Sequence, residues 1–384
     1  MTPNIELNGL VTGYKIKGGK AIVSDGLSAS LQTGELTCLL GPNGAGKSTL
    51  LRTLCAFQPA LGGSIKLLGH KLDSYQKQDL ARIISVVLTD NSGIRNMTAY
   101  DVVGIGRSPY TGFWGRLGEK DKKVIDKCFL WVGIESLKKR KMQTLSDGEC
   151  QKVMIAKALA QETPIVFLDE PTAYLDYPSK IQMMMLLHRL AKTLKKTIFM
   201  STHDLEHALQ IADHIWLLDK EHGLTTGTPE DLSIGGQIEA YFNRKGIEYN
   251  QLLCTFNIQH ETAREVTIRG NIASLEYQMC CKALVRNGIQ PVSEVIDCPV
   301  SIRVPGDGTY RLVENGKEIY NVNRIEHLLR TIVPSIQDSY FATKAKLGYG
   351  FSRIIGKKRS LKIRSLSINR VSSSCSLSLT IESE

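Results

Sequence analysis

The 384-residue chain is short of the features that mark membrane-spanning, secreted and zinc-binding proteins. No stretch approaches the run of about 18 apolar residues that can span a bilayer, and the start, MTPNIELNGL, has no basic and apolar regions of a signal peptide. The nine cysteines include no C-x-x-C pair and no histidine partner in zinc spacing. We therefore expect a protein that stays in the cytoplasm with reduced thiols.

The formal charge of +10 is unevenly distributed along the chain. Residues 341–384 carry nine Lys or Arg against two Glu, which leaves a charge of +3 for the first 340 residues. A basic end can attract an anionic membrane or a nucleic acid, and it can equally be a solvated tail. The length itself predicts two domains, or one large domain with an appendage.

Short β-rich runs alternate with helical patterns from the start of the chain to about residue 250. The helical pattern of residues 180–194 lies between two apolar runs, which predicts a β-α-β crossover. This alternation indicates an α/β domain with a parallel sheet over residues 1–250. The candidate strands are residues 35–40, 83–88, 164–169, 197–202 and 214–219.

A small α+β accessory domain is predicted over residues 255–338. It has an alternating strand at 264–270, a helix that stops at Asn287-Gly288, and a hairpin whose Asn315-Gly316 pair suits a type I′ turn. No acids, histidines or nucleophiles cluster there, so we expect no catalysis in this domain. Residues 339–384 form a basic, serine-rich tail whose order the sequence leaves open.

The stretch GPNGAGKST matches the phosphate-binding loop pattern G-x-x-x-x-G-K-[ST], with a candidate strand before it and a helical pattern after it. Glycines allow the backbone amides to wrap phosphates, Lys47 adds a positive charge, and Ser48 can ligate Mg²⁺. The chain is therefore predicted to bind a nucleoside triphosphate. The predicted contacts are Gly41, Pro42, Asn43, Gly44, Ala45, Gly46, Lys47, Ser48 and Thr49.

Two further strand ends bring polar residues toward this loop. The apolar run at 164–169 ends in Asp169, which can hold Mg²⁺ through water, and Glu170 follows as a candidate general base. The run at 197–202 is followed by His203, whose imidazole can donate a hydrogen bond to the γ-phosphate. We assign Glu170 and His203 to catalysis and Asp169 to the metal.

The stretch TLSDGEC reads as a helix start, because Ser146 and Glu149 have the spacing of a reciprocal capping box. It also carries Gly148 where a phosphate could approach, so it is either a cap alone or a cap that belongs to a binding site. Asp147 complements the helix dipole by about 0.3 to 1 kcal/mol, although its carboxylate would repel a triphosphate unless it points to solvent.

Together these motifs, with the segment AYLD at 173–176, resemble the ATP-binding subunit of ABC transporters over residues 1–245. The resemblance implies an ABC-type P-loop fold with a helical subdomain, and ATP and Mg²⁺ as cofactors. It also implies that Ser146, Asp147, Gly148 and Glu149 act as a signature on the ATP of a second copy. Asp176 matches the D-loop aspartate, and Tyr14 matches the aromatic residue that stacks on adenine.

Within the family, the segments around 67–88 and 102–121 are similar to the ATPases of importers for iron chelates, haem or cobalamin. This similarity implies a homodimer that docks on polytopic membrane subunits and works indirectly with a substrate-binding protein. It places the chain peripherally on the cytoplasmic face of the inner membrane, with no specific nucleic acid partner. The expected docking surface is 89–118, with Phe113 and Trp114 as anchors or as core residues.

The sequence departs from the family pattern in two places. Thr89, or Asp90 beside it, stands where the family has a glutamine that contacts Mg²⁺, so Thr89 is the candidate third metal contact. Asp147 stands where the signature has glycine. Two alternatives to an importer stay open, a soluble ABC ATPase that acts on nucleic acid or the ribosome and an ABC exporter motor. The sequence does not identify the cargo.

Overall fold

The computed structural model describes residues 3–88, 96–112, 115–242, 246–262, 264–293, 300–332, 366–371 and 374–379. Thr89, Asp90, Phe113 and Trp114 lie outside these residues, so their predicted roles stay predictions. The chain divides into two compact units, Met1–Gln259 and His260–Glu384. No helix of the described part is long and apolar enough to cross a membrane.

The strands of the first unit alternate with its helices along most of the chain. The strands are β1 Ile5–Ile16, β2 Gly19–Leu31, β3 Leu36–Leu40, β4 Gly62–Leu67, β5 His70–Lys71, β6 Ile84–Val87, β7 Ile165–Asp169, β8 Thr197–Ser201, β9 His214–Leu218, β10 Leu224–Gly227, β11 Ile247–Asn250 and β12 Thr255–Ile258. The helices are α1 Lys47–Leu54, α2 Lys77–Ile83, α3 Ala99–Ile105, α4 Glu119–Val132, α5 Asp147–Ala160, α6 Tyr177–Leu194, α7 Leu205–Ile211, α8 Pro229–Ile234 and α9 Gln237–Phe242.

A central six-stranded sheet has the order β10-β9-β3-β8-β7-β6. Its inner pairs are parallel, and only β10 runs antiparallel to its neighbour within the described sheet. Every residue of β3 is buried, and alternate side chains enter two different cores, Leu36 and Leu40 on one face and Leu39 on the other. The predicted parallel sheet, covered on both faces, is confirmed.

A second sheet of the first unit is antiparallel and has the order β2-β1-β4-β5. The helices α3 and α4 pack against α5 and form a helical layer beside the central sheet. The helix predicted from residue 180 begins earlier, at Tyr177, because Asp176 caps it by accepting a hydrogen bond of 2.9 Å from the Ser179 amide.

Arg107 ties the helical layer together from a buried position. Its side chain is only 2% exposed, and its Nε donates to Asp121 at 2.9 Å. Its Nη1 donates to the Ala160 carbonyl at 2.8 Å and to Glu162 at 2.6 Å, and the guanidinium lies 4.1 Å from the ring centre of Tyr110. A single guanidinium therefore joins the end of α5 to the start of α4.

The second unit is a five-stranded sheet with helices on one face. Its elements are β13 Arg264–Gly270, α10 Leu275–Arg286, β14 Ile289–Val292, β15 Val300–Val304, β16 Tyr310–Glu314, β17 Lys317–Val322 and a helical stretch over 325–332. The sheet order is β14-β13-β15-β16-β17. At the predicted hairpin, Asn315 and Gly316 both have positive φ, 49° and 80°, as a type I′ turn requires. The later strands β18 Leu366–Val371 and β19 Ser374–Leu379 pair antiparallel.

The Arg107 contacts predict a strong stability effect. Arg107→Met removes a buried charge from two carboxylates and one carbonyl, so it should lower the free energy of unfolding by about 2 kcal/mol, measured by urea denaturation. Lys122→Met, which breaks an exposed ion pair with Glu119, is the control and should cause no measurable change. Equal effects of the two substitutions would show that Arg107 does not hold the layer.

Candidate functional site

Three neighbouring strands end at one edge of the central sheet. The strands β3, β8 and β7 are adjacent and parallel, so their carboxyl ends share that edge. The register pairs Ser201 at the end of β8 with Leu39 on one side and Asp169 on the other. The loop after β3, the acids after β7 and the polar residues after β8 therefore meet.

The loop between β3 and α1 needs glycine at two positions. Gly41 has φ 155°, and a Cβ there would lie 2.0 Å from the Leu218 carbonyl oxygen. Gly46 has φ 102°, and a Cβ there would lie 2.7 Å from Val23 Cγ1. These contacts exclude side chains at both places, so the loop folds tightly against β9 and β2 and its backbone faces the edge.

Lys47 is the first residue of α1 and is buried in this loop. Its ammonium donates to the Gly41 carbonyl at 2.8 Å and to the Pro42 carbonyl at 3.1 Å. Burial lowers the pKa of Lys47, and the carboxylates of Glu170 and Asp169 act in the opposite direction. The two carbonyls thus hold the Lys47 ammonium in the loop, and an anion could take their place as its hydrogen-bond acceptor.

Ser201 joins the two acids of the edge. Its hydroxyl donates to Asp169 Oδ1 at 2.7 Å and accepts from the Glu170 amide at 2.9 Å. The amide lies where the chain turns, since Glu170 has φ 48°, a value that few non-glycine residues adopt. Sequence reasoning missed Ser201, although its place at the end of an apolar strand, two residues before His203, was a usable signal.

His203 and Glu170 are in direct contact. The His203 Nε2 lies 2.5 Å from Glu170 Oε1, and the two side chains are 45% and 34% exposed. The next residue, Asp204, accepts from Thr172 Oγ1 and from Lys180 Nζ, both at 3.0 Å. Asp204 thus holds the segment after β8 against the segment after β7, which fixes the distance between the predicted base and the predicted histidine.

A cavity of about 880 Å³ opens at this edge. Eight of the residues predicted for the site line it: Asn43, Gly44, Gly46, Lys47, Ser48, Thr49, Glu170 and His203. The lining also includes two segments that sequence reasoning missed, residues 22–25 on β2 and residues 219–223 between β9 and β10. These segments come from remote parts of the chain, so no local pattern predicted them.

The 219–223 segment carries a hydrogen-bonded histidine–aspartate pair at the cavity rim. His222 Nδ1 lies 2.8 Å from Asp219 Oδ2, and this hydrogen bond raises the pKa of His222. Burial opposes ionisation of Asp219, but the hydrogen bonds from His222 lower its pKa. The His222 ring also lies 5.0 Å from that of Tyr241. The rim is therefore held in place by this hydrogen bond and by ring packing.

Tyr14 lies near the same loop. Its hydroxyl shares a hydrogen bond of 3.1 Å with Thr49 Oγ1, and its side chain is 45% exposed. Its ring is thus partly exposed to solvent beside the first turn of α1.

The predicted signature forms the start of α5. The Ser146 amide donates to Glu149 Oε2 at 2.9 Å, and the Glu149 amide donates to Ser146 Oγ at 3.3 Å, so the capping box is present. Ser146 and Asp147 are exposed, and none of the four signature residues is among the described residues that line the cavity. Within one chain, the structure does not bring the signature to the phosphate loop.

Comparisons with known proteins identify the fold that carries this edge. A sequence model of the ABC transporter family matches residues 24–173. The chain is 38% identical over 264 residues to an uncharacterized ABC transporter ATP-binding protein of Methanocaldococcus jannaschii, covering 69% of this chain and 90% of that protein. The chain belongs to the ATP-binding proteins of ABC transporters. The predicted ABC-type P-loop fold and ATPase class are thereby confirmed.

Two further relatives have names that state a cargo. The iron(3+)-hydroxamate import ATP-binding protein FhuC of Bacillus subtilis is 35% identical, over 55% of this chain and 78% of that protein. The ferric enterobactin transport ATP-binding protein FepC of Escherichia coli is 33% identical, over 61% of this chain and 84% of that protein.

Solved structures match the same architecture. An inward-facing putative metal-chelate type ABC transporter is 26% identical with a TM-score of 0.54, covering 63% of this chain and 89% of that chain. A dimeric ATP-binding cassette bound to ADP and Pi after hydrolysis is 26% identical with a TM-score of 0.51, covering 59% of this chain and 98% of that chain. This chain is thus an ABC ATPase.

The position of Ser201 predicts a kinetic defect. Ser201→Ala removes two hydrogen bonds that place Asp169 and Glu170, so we expect kcat for ATP to fall about tenfold, with nucleotide affinity within about twofold of the unchanged protein. Steady-state ATPase assays and equilibrium binding measure the two effects. The matched control is Ser233→Ala, a buried hydroxyl bonded to Tyr249 away from the edge. An unchanged kcat for Ser201→Ala would show that Ser201 does not position the acids for hydrolysis.

Proposed function

We propose that this ABC ATPase hydrolyses Mg²⁺-ATP at the edge formed by β3, β7 and β8, and that it powers the import of an iron chelate or a related cargo. The observation that carries the proposal is the convergence of Lys47, Glu170 and His203 on one cavity. Asp169 lies at the same sheet edge, bonded to Ser201. A cavity of about 880 Å³ accommodates a nucleotide.

The phosphate loop binds the triphosphate with its backbone amides and with Lys47. The ammonium exchanges the carbonyls of Gly41 and Pro42 for phosphate oxygens, which are stronger acceptors for a charged donor. The ring of Tyr14, held by Thr49, stacks on adenine. The sequence similarity to the family motif and the exposure of the tyrosine support these roles.

The residues of the edge fit a magnesium ion. Ser48 lines the cavity, and Asp169 uses Oδ1 to accept from Ser201, which leaves its second carboxylate oxygen for an ion. Ser48 and Asp169 would hold Mg²⁺, with Thr89 as the third contact. Mg²⁺ held by these residues would supply positive charge next to the phosphate oxygens of the nucleotide.

Glu170 is the proposed general base. Its carboxylate accepts a proton from the attacking water, and its contact with His203 fixes the orientation in which it does so. His203 in turn donates to the γ-phosphate, so the pair responds to the presence of that phosphate. The positive φ of Glu170 and the hydrogen bond of its amide to Ser201 support a fixed geometry.

Two copies of the chain complete the site. The exposed start of α5 in one copy, with Ser146, Gly148 and Glu149, faces the γ-phosphate held by the other copy, and Asp176 contributes the D-loop contact. Asp147 is exposed, so its carboxylate can point to solvent. The exposed capping box and the dimeric ADP-bound relative support this arrangement.

The proposed dimer docks on polytopic membrane permease subunits at the cytoplasmic face of the inner membrane and serves a substrate-binding protein indirectly. The relatives named for hydroxamate and enterobactin transport support an iron-chelate cargo, as does the metal-chelate transporter among the structural neighbours. Residues 89–118 are the proposed docking surface.

Reconstitution with the membrane subunits tests the proposal. We expect a ferric hydroxamate or catecholate, delivered by its binding protein, to stimulate ATP hydrolysis and its own uptake into vesicles. Glu170→Gln should retain ATP binding but lower turnover at least about a hundredfold, because it removes the base. Stimulation by haem or cobalamin alone would show that the cargo is not an iron chelate of this kind. Near-normal turnover of Glu170→Gln would show that Glu170 is not the general base.

The signature predicts a defect in assembly. Ser146→Arg places a long side chain at the start of α5 and should leave ATP binding by the monomer unchanged while preventing ATP-driven dimerisation, measured by sedimentation velocity. Ser274→Arg, which also replaces the serine that caps a helix, at the start of α10 in the second unit, is the control and should leave dimerisation unchanged. Equal loss of ATP binding and dimerisation in Ser146→Arg would show that the motif is a helix cap alone.

A further inference from the structure

The sheet of the second unit packs its helices against one face. On the opposite face Thr267 and Val313 are buried, whereas Arg269 and Arg303 are exposed. On β13, Val266 and Ile268 are buried in the core with α10. Because side chains alternate along a strand, Glu265, Thr267 and Arg269 face the other way. The same alternation places Arg303 of β15 and Arg311 of β16 on this opposite face, since Ile302 and Leu312 are buried in the core.

Three arginines stand side by side across that face. The strand register pairs Arg269 with Arg303, and Arg303 with Arg311. Adjacent strands are about 4.8 Å apart, so neighbouring guanidiniums can reach one common ligand. Like charges directly opposite each other destabilise a sheet, so this row works against the stability of the unit.

The charge of the row is only partly balanced. Arg311 lies 2.7 Å from Asp307 and 3.7 Å from Glu318, so two carboxylates neutralise it. Arg269 and Arg303 are both exposed, and neither has an ion pair with any residue in the described ranges of the chain. Arg269 and Arg303 are therefore two adjacent guanidinium groups without a carboxylate partner among the described residues, and Arg311 beside them is already paired.

We propose that Arg269 and Arg303 form a binding site for the phosphate dianion of a small phosphorylated molecule. Two guanidiniums supply two positive charges and two planar forks, which match the charge and the oxygen geometry of one phosphate group. The hydroxyl of Ser301 lies on the same face, two residues before Arg303, and adds a donor beside the pair.

Acidic side chains around the pair limit the size of the ligand. Glu265 lies on the same face of β13, and Glu318 and Asp307 lie on the Arg311 side. An extended polyanion such as RNA or an anionic membrane would bring further negative charge onto these carboxylates. The face therefore suits one small dianion.

Calorimetry with inorganic phosphate tests this site in the full chain. The protein is first saturated with a non-hydrolysable ATP analogue, so that the proposed nucleotide site is filled up to its γ-phosphate position and inorganic phosphate reports on other sites. We expect one phosphate to bind at millimolar concentration and Arg303→Thr to weaken it at least about tenfold. Arg303→Lys, which keeps the charge and loses the fork, should weaken it less. The control Arg286→Gln, an exposed arginine on α10, should bind as the unchanged protein does.

Thermal unfolding separates a lost site from a damaged fold. Arg303→Thr should have an equal or higher Tm, because it removes a like-charge pair and places a β-branched residue in a strand. Equal phosphate binding by the unchanged protein and a folded Arg303→Thr, or none by the unchanged protein, would overturn the proposal. Tighter binding of RNA or of phosphatidic acid vesicles through the same arginines would also overturn it. The ATPase activity of Arg303→Thr should equal that of the unchanged protein, so failure of this proposal does not bear on the proposed function.

Discussion

The order of the strands in the central sheet is the constraint on which the site depends. With β8 between β3 and β7, the ends of three parallel strands lie at one edge, and Ser201 is level with both Leu39 and Asp169. The phosphate loop, the acids and the histidine therefore need no long side chains to meet. Burial of β3 on both faces holds this strand in the core, which suits a support for the proposed nucleotide site.

The parts of the site predictable from sequence are those with a local cause. Positions 41 and 46 leave no space for a Cβ, so both need glycine, and the glycines can be read directly from the sequence. Asp169 follows from an apolar strand and the rule that parallel strands end at a common edge. Strand limits were also close, since the strand predicted at 83–88 is Ile84–Val87.

The parts that sequence could not predict depend on contacts between distant segments. Ser201 matters because it bonds to residues 31 and 32 positions away, and Asp204 because it accepts from Lys180. The rim at 219–223 and the antiparallel sheet β2-β1-β4-β5 are likewise set by long-range pairing. The arginine row of the second unit emerges only once the register of three strands is known.

The most direct test is an experimental structure of the Glu170→Gln chain with ATP and Mg²⁺. We expect a dimer in which each γ-phosphate is within hydrogen-bonding distance of Lys47 of one copy and of Ser146 of the second. ATP bound away from the edge of β3, β7 and β8, or a dimer with Ser146 far from the nucleotide, would contradict this expectation.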